Sequence, residues 1–398
     1  MEALNTYHNN VVKQVSDDFF RYLFDEINWN QRMLAIKGPR GAGKTTLMLQ
    51  YIKFGKEIEK DKALYISADH HWFYTHSLYE TAEQFYLNGG RRLFIDEVHK
   101  YEKWSRELKN LYDGFPDLKI VFSASSALDI YRGEADLSRR VIAYNLPGLS
   151  FREYLELVHG VNFQKISKEK IFEDHSKLTA SITEKIQPLP LFKKYLRYGY
   201  LPIITESEPD EISMRLSQII NAIVESDLAY IEGFDAGTAR KIKKLLGVIA
   251  ESVPFKPNIS SLARKMEASR ESVYSWIKFL EEARLLNTLR QTGKGVSTLQ
   301  KPDKIYLENT NLAYALRENP DVGSIRESFV LNQLINSGME VSLPDKGDFY
   351  VDEMIIEVGG KNKIAEQVKH LPKYRILADD IEVGFGNKIP LWLFGFLY

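Results

Sequence analysis

The stretch GPRGAGKTTLML, residues 38–49, decides how the chain is read. Gly38, Gly43, Lys44 and Thr45 satisfy the spacing G-x-x-x-x-G-K-[ST], and that spacing has a physical purpose. Glycines let backbone N–H groups converge on phosphate oxygens, and the start of the next helix adds unpaired donors and a positive dipole end. The preceding MLAIK, residues 33–37, reads as a short buried strand, and the following TTLMLQYIKF sets Leu47, Met48, Tyr51 and Ile52 at helical spacing. Strand, turn and helix come in the order a phosphate-binding loop needs. Gly38, Pro39, Arg40, Gly41, Ala42, Gly43, Lys44, Thr45 and Thr46 are therefore the candidate nucleotide-binding residues. Lys44 would neutralise the β and γ phosphates of ATP, and Thr45 would ligate Mg2+.

A nucleotide site of this type needs a second, acidic strand, and RRLFIDEVHK at 91–100 supplies one: Leu93, Phe94 and Ile95 run into Asp96 and Glu97. Asp96 is the candidate metal holder and Glu97 the candidate base that orients and deprotonates the attacking water. Further strands are expected at 62–69, 118–125 and 140–146, with helices at 78–87 and 104–112 between them. This alternation predicts an α/β fold with a parallel sheet sandwiched by helices. Ligands on such sheets lie at the carboxyl ends of strands, which brings in the serines after KIVF. Ser123 or Ser125 would either place the water and sense the γ phosphate or serve as an ordinary turn serine; both readings stand. Arg139 and Arg140, in ADLSRRV, are either a solvated pair or an arginine that reaches a nucleotide across an interface.

Composition sets the outer limits. The chain has 398 residues, 44% hydrophobic, which suits several compact domains. With 53 basic against 54 acidic residues, bulk attraction to nucleic acid or an anionic membrane is not expected. The absence of cysteine excludes disulfides, thiolate metal sites and cysteine nucleophiles. The opening MEALNTYHNN lacks the apolar core of a signal peptide, and no run is long enough to cross a bilayer, so a cytoplasmic location and no membrane partner are expected. The final IPLWLFGFLY, residues 389–398, reads as a buried terminal strand.

GPRGAGKTTL, LFIDEVHK, FSASSALDI, ADLSRRV and LPGLSFREYL together resemble the AAA-type ATPases of bacteria and archaea that carry a C-terminal domain of unknown function with a restriction-endonuclease-like fold. YGYLPI at 198–203 and IYLENTNLAYAL at 305–316 are looser landmarks of the same resemblance. The resemblance implies ATP and Mg2+ as cofactors and a site built from Lys44, Thr45, Asp96, Glu97, a polar residue among Ser123 to Ser126 and an arginine, Arg140 before Arg139. The chain is divided accordingly into an ATPase core at 1–150, a helical lid or linker at 151–252, a winged helix-turn-helix at 253–303 and a nuclease-like domain at 304–398.

The residues themselves support these divisions unevenly. Residues 159–185 are charged without a strong apolar stripe and suggest exposed helical hairpins or a lid, while Ile212, Leu216, Ile219, Ile220 and Ile223 mark a helical region beside the nucleotide site. From 258 to 286 the pattern is a short helix ending near Met266, a turn, and a helix capped by Ser269 with Val273, Trp276, Ile277 and Leu280 inward. Residues 288–301, with Gly293 and Gly295 in the turn, are expected to form a two-stranded wing. Arg270, Ser272, Ser275 and Lys278 would face a DNA groove, but the basic excess here is small. DNA engagement, a packing module and a protein-docking scaffold, alone or as a homo-oligomer, all stay open.

Toward the C-terminus, Glu327 on a helix and Asp348 and Glu357 on strands resemble the metal frame of a nuclease. The lysine expected two residues after the glutamate is replaced by Gly359, and Lys361 would share that face only if Gly359 and Gly360 stayed extended. This argues against nuclease activity and for a binding or regulatory role.

Overall fold

The computed structural model describes residues 1–125, 137, 139–231, 234–251, 254–291 and 301–398. The chain forms two compact units, Met1–Gly148 and Leu149–Tyr398.

In the first unit, β1 (Met33–Gly38), β2 (Ala63–Ser67), β3 (Arg92–Asp96), β4 (Lys119–Ser125) and β5 (Ile142–Asn145) make a five-stranded sheet in the order β2-β3-β4-β1-β5. All four pairings are parallel. Helices α1 (Glu2–Gln14), the short α2 (Leu23–Glu26), α3 (Lys44–Phe54), α4 (Leu78–Leu87) and α5 (Trp104–Gly114) complete it. Because successive strand residues point to opposite faces, β1 divides its side chains between two cores. Met33 and Ala35 join Leu64, Leu93, Ile95, Ile120 and the buried faces of α4 and α5. Leu34 and Ile36 join Leu47, Met48, Tyr65 and Phe94 under α3. A reciprocal Ser77–Glu80 capping box starts α4.

Helix α1 has a one-sided stripe that composition hides: Leu4, Tyr7, His8, Val11 and Val12 are the sheltered positions among exposed neighbours. The i, i+3, i+4, i+7, i+8 spacing puts them on one face. His8 Nδ1 accepts the Tyr65 backbone N–H at 2.9 Å, so the helix also covers the outer edge of β2.

The second unit runs α6 (Phe151–His159), α7 (Lys168–Thr183), α8 (Pro188–Tyr198), α9 (Pro209–Ala222), α10 (Ala236–Ala250), α11 (Ile259–Met266), α12 (Arg270–Glu282), β6 (Leu286–Leu289), β7 (Lys304–Leu307), α13 (Thr310–Leu316), α14 (Val322–Asn336), β8 (Phe349–Val351), β9 (Met354–Gly359), β10 (Tyr374–Ala378) and β11 (Lys388–Pro390). The last four strands form a sheet in the order β11-β10-β9-β8, antiparallel only at β8 and β9. Segments divided in the sequence at 252/253 and 303/304 fall in this one unit. A buried polar network joins them: the Tyr200 hydroxyl and the Asn332 amide donate to Glu308 Oε1 at 2.8 and 3.0 Å, the Asn287 amide donates to the Glu308 carbonyl at 3.2 Å, and Asn311 bonds the Tyr200 N–H and the Leu196 carbonyl at 2.8 and 2.9 Å.

Three expectations change. Residues 168–183 are not an exposed lid: α7 buries Ile171, His175, Thr179 and Ile182, and Ser176 donates to the Gly384 carbonyl at 3.1 Å. Half of that stripe is polar in type, which is why hydrophobicity missed it. The terminal apolar run is a strand only at Lys388–Pro390; Leu391–Phe396 turn into a buried 3-10 helix. Proline lacks the N–H a ladder needs, and an unbroken apolar run does not distinguish strand from helix. The two strands expected within 288–301 lie instead at Leu286–Leu289 and Lys304–Leu307, paired antiparallel; Gly293 and Gly295 lie outside the described residues. Helices α11 and α12 match the expectation, with the Ser269 side chain accepting the Ser272 N–H and Val273, Trp276, Ile277 and Leu280 buried.

Candidate nucleotide site

The loop leaves β1 at Gly38, where a side chain would collide with the Leu146 carbonyl oxygen, so only glycine fits. Gly41 and Gly43 have φ of 83° and 92°, the left-handed region that favours glycine. Gly43 is the N-cap of α3 and provides no side-chain cap. By contrast, the starts of α4, α6 and α12 are capped by serine. The first turn of α3 thus presents its amides without a side chain over them, as an anion cradle requires.

Lys44 is buried, and its Nζ donates to the Gly38 and Pro39 carbonyls at 2.9 and 3.0 Å, which holds the ammonium across the loop. Thr45 Oγ1 donates to Asp96 Oδ2 at 2.6 Å, so loop and acidic strand meet where the sequence placed them. Two hard oxygen donors from two elements are the limited protein share that Mg2+ takes when substrate phosphates complete its shell. Among the described residues, no group of three or more His, Cys, Asp or Glu could hold a metal ion.

The acidic pair is held by more than its strand. Ser123, on β4, donates to Asp96 Oδ1 and accepts the Glu97 N–H at 2.9 Å. Glu97 sits at φ 52°, a left-handed conformation costly for a side-chain-bearing residue. Its carboxylate stays partly exposed, 3.9 Å from the His99 ring. Ser123, not Ser125, therefore braces the pair. Ser125 pairs with Gly38 in the sheet register, and its N–H donates to His99 Nδ1 at 3.4 Å. Ser126 lies outside the described residues.

His99 was not singled out from the sequence. Burial, then the cations Lys100, Lys44 and Arg40, push its pKa down to about 3, so the ring is neutral. Accepting through Nδ1 leaves the proton on Nε2, 3.9 Å from the Glu97 carboxylate.

Arg21 was missed as well, because a lone arginine in DDFFRYLFDE carries no pattern. It is buried and donates to the Ala42 carbonyl at 2.5 Å and the Pro147 and Gly148 carbonyls at 2.8 and 3.0 Å. One guanidinium thus ties the loop to the segment after β5. Arg21→Ala strands three buried acceptors and is expected to lower stability by about 3 kcal/mol, readable as a shift of the urea midpoint.

Arg140 does not join the loop within the chain. It makes a two-pronged ion pair with Asp113, at the end of α5, with both N–O distances 2.9 Å. Ile142, two residues on, is level with Leu34, while the loop starts at Gly38; four residues of strand put them about 13 Å apart. Arg139 beside it is exposed.

The second acidic constellation lies in the other unit. Glu327 Oε2 accepts from the Tyr306 hydroxyl at 2.8 Å, and Asp348 Oδ2 accepts the Val358 N–H at 2.8 Å. Burial first, then Asp348, raises the Glu327 pKa. A lysine does meet Glu357, but it is Lys363, at 2.6 Å, and not Lys361. Gly359 makes this possible, because a Cβ there would lie 2.7 Å from the Lys363 side chain.

With this geometry in place, the likenesses fall into register. Residues 30–155 match the family model described as an AAA domain, and residues 189–322 match a domain of unknown function, DUF8612. The chain is 27% identical to an uncharacterised protein of Methanocaldococcus jannaschii, MJ1637, across 98% of this chain and 90% of that one. A second from the same organism, MJ1544, is 24% identical across 85% and 74%, and an uncharacterised Haemophilus influenzae protein is 22% identical across 77% and 75%. Among solved structures, the S. cerevisiae Hsp104-ADP complex aligns with 68% of this chain at 17% identity and a TM-score of 0.30, the chain spanning 40% of that one. C. elegans PCH-2 aligns with 69% of this chain and 67% of its own at 16% identity and 0.25. Both scores are too low to carry an argument. The match at residues 30–155, which takes in the loop, Asp96 and Glu97, supports a P-loop ATPase in the first unit.

Proposed function

We propose that the first unit binds ATP with Mg2+ and hydrolyses it, and that turnover controls the second unit. The observation that carries this is the 2.6 Å bond from Thr45 to Asp96, with Glu97 turned toward solvent beside it. Lys44 and the first-turn amides of α3 bind and orient the phosphates. Thr45 and Asp96 would hold Mg2+, which supplies charge neutralisation for the transferring phosphoryl group. Glu97 takes the proton of the attacking water, with Ser123 fixing its backbone and the neutral His99 ring flanking its carboxylate. Arg140 is committed to Asp113, so the finger role passes to the exposed Arg139 acting on a neighbouring copy, which makes the active form a homo-oligomer.

For the winged-helix reading of α11, α12, β6 and β7, one observation favours protein docking over DNA. The groove along α12 is lined by Glu271, Glu281 and Glu282 against Lys278 and Arg290, and Lys278 is already 3.4 Å from Glu282. A phosphate backbone needs uncommitted cations. In the nuclease-like reading of the terminal sheet, Lys363 pairs with Glu357, so the absence of a lysine at Gly359 no longer argues against nuclease chemistry there.

The test is ATP turnover by the purified chain with and without duplex DNA at low salt, with its mass measured in solution. Mg2+-dependent turnover by an assembly larger than one chain, unchanged by DNA, is the expected outcome. Turnover that rises with DNA and falls with salt would reinstate the DNA reading, and absence of both binding and turnover would remove the ATPase reading.

A further inference from the structure

Asp96 has a partner outside the loop and the β4 serine. The Tyr65 hydroxyl, on β2, donates to Asp96 Oδ2 at 2.8 Å, the same oxygen that accepts from Thr45 at 2.6 Å. Tyr65 is 2% exposed, and its own seat is built by helix α1. His8 accepts the Tyr65 N–H at 2.9 Å, and the Tyr7 ring stacks on the Tyr65 ring with centroids 6.0 Å apart. Their hydroxyls also interact. One helix thus grips this residue by backbone and by ring.

We infer that Tyr65 is a positioning residue for the metal-holding carboxylate and that α1 seats it, so the N-terminal helix sets the hydrolytic competence of the site. The inference rests on the ATPase reading above. If Mg2+ draws the Thr45 hydroxyl to itself, Asp96 Oδ2 keeps the Tyr65 hydrogen bond as its remaining side-chain restraint on that oxygen. Loss of that bond leaves the carboxylate held only at Oδ1, by Ser123 and the Glu97 N–H, and so less firmly fixed about its last torsion, which is broad and shallow. Loss of α1 would remove the seat without touching any residue that meets nucleotide or metal.

The test uses Tyr65→Phe, which keeps the ring and its stacking on Tyr7, and His8→Ala, which removes the backbone acceptor while leaving Tyr65 unchanged. A fluorescent ATP analogue is titrated with Mg2+, alongside steady-state ATP turnover and thermal unfolding. For Tyr65→Phe, the Mg2+ concentration for half-maximal effect should rise and kcat should fall, each roughly tenfold, as expected for one hydrogen bond to a charged group. Analogue affinity without Mg2+ and the unfolding midpoint should stay near those of the unaltered protein. His8→Ala should move the Mg2+ dependence in the same direction. A purely structural role would shift the unfolding midpoint and leave the Mg2+ dependence in place, and that result overturns the inference. So does unaltered Mg2+ dependence and turnover in Tyr65→Phe while the parent protein hydrolyses ATP. A parent protein that neither binds nor turns over nucleotide overturns the ATPase reading itself, and this inference with it.

Discussion

Lys44→Ala is expected to weaken ATP binding at least 100-fold. The ammonium supplies charge-assisted hydrogen bonds to phosphate, each worth about 1.5–3 kcal/mol in a sheltered site. Its position already shows the restraint that makes it effective: it is buried at the start of α3 and lies across the Gly38 and Pro39 carbonyls. These bonds also tie the loop to itself, so the variant needs a stability control. A ligand that binds only the folded state at 100 times its Kd stabilises by about 2.7 kcal/mol. Calorimetry with and without ATP should therefore show a clear rise in the unfolding midpoint for the parent and at most a small one, equivalent to about 0.4 kcal/mol, for Lys44→Ala. An ATP-induced rise of equal size in the variant would remove Lys44 from the site.

The complementary substitution separates binding from chemistry. Glu97→Gln is expected to retain ATP affinity within about twofold and to lose roughly 100- to 1000-fold in kcat, the range for removing a general base. Glutamine matches glutamate in size and faces the same left-handed backbone at φ 52°, so the conformational cost is shared and only the proton-accepting charge is lost. The Ser123 bond to the residue 97 N–H is unaffected, because it engages the main chain. ATP should still raise the unfolding midpoint of this variant. Substantial phosphate release by Glu97→Gln would give the base role to another group, with His99 a poor candidate because its neutral ring is already oriented by the Ser125 N–H.

The contrast between these two residues and Tyr65 shows how far local pattern reaches. A phosphate loop is contiguous, and its glycines, lysine and threonine do their work within one turn of chain. Its residues are therefore written at fixed spacing, and Thr45 of the loop is hydrogen-bonded to Asp96 of the acidic strand. Parallel strands buried on both faces read as apolar runs, so β1 to β4 were visible, as was helix α12 behind its Ser269 cap. Charge and composition excluded cysteine chemistry before any fold was known.

Residues that act across long sequence separations leave no such mark. Arg21 reaches Pro147 and Gly148, His8 reaches Tyr65, Tyr65 reaches Asp96, and Lys363 folds back onto Glu357 over Gly359. Each is an ordinary residue whose role depends on which distant backbone or carboxylate the packing brings within hydrogen-bond reach. Choosing Ser123 over Ser125 likewise needed the register of β4, since serines two apart share a face and only the pairing shows which reaches Asp96 and which is level with Gly38. Spacing along the chain can specify a turn or a helix face, but partners brought together by collapse become visible only when the distances between strands and helices are known.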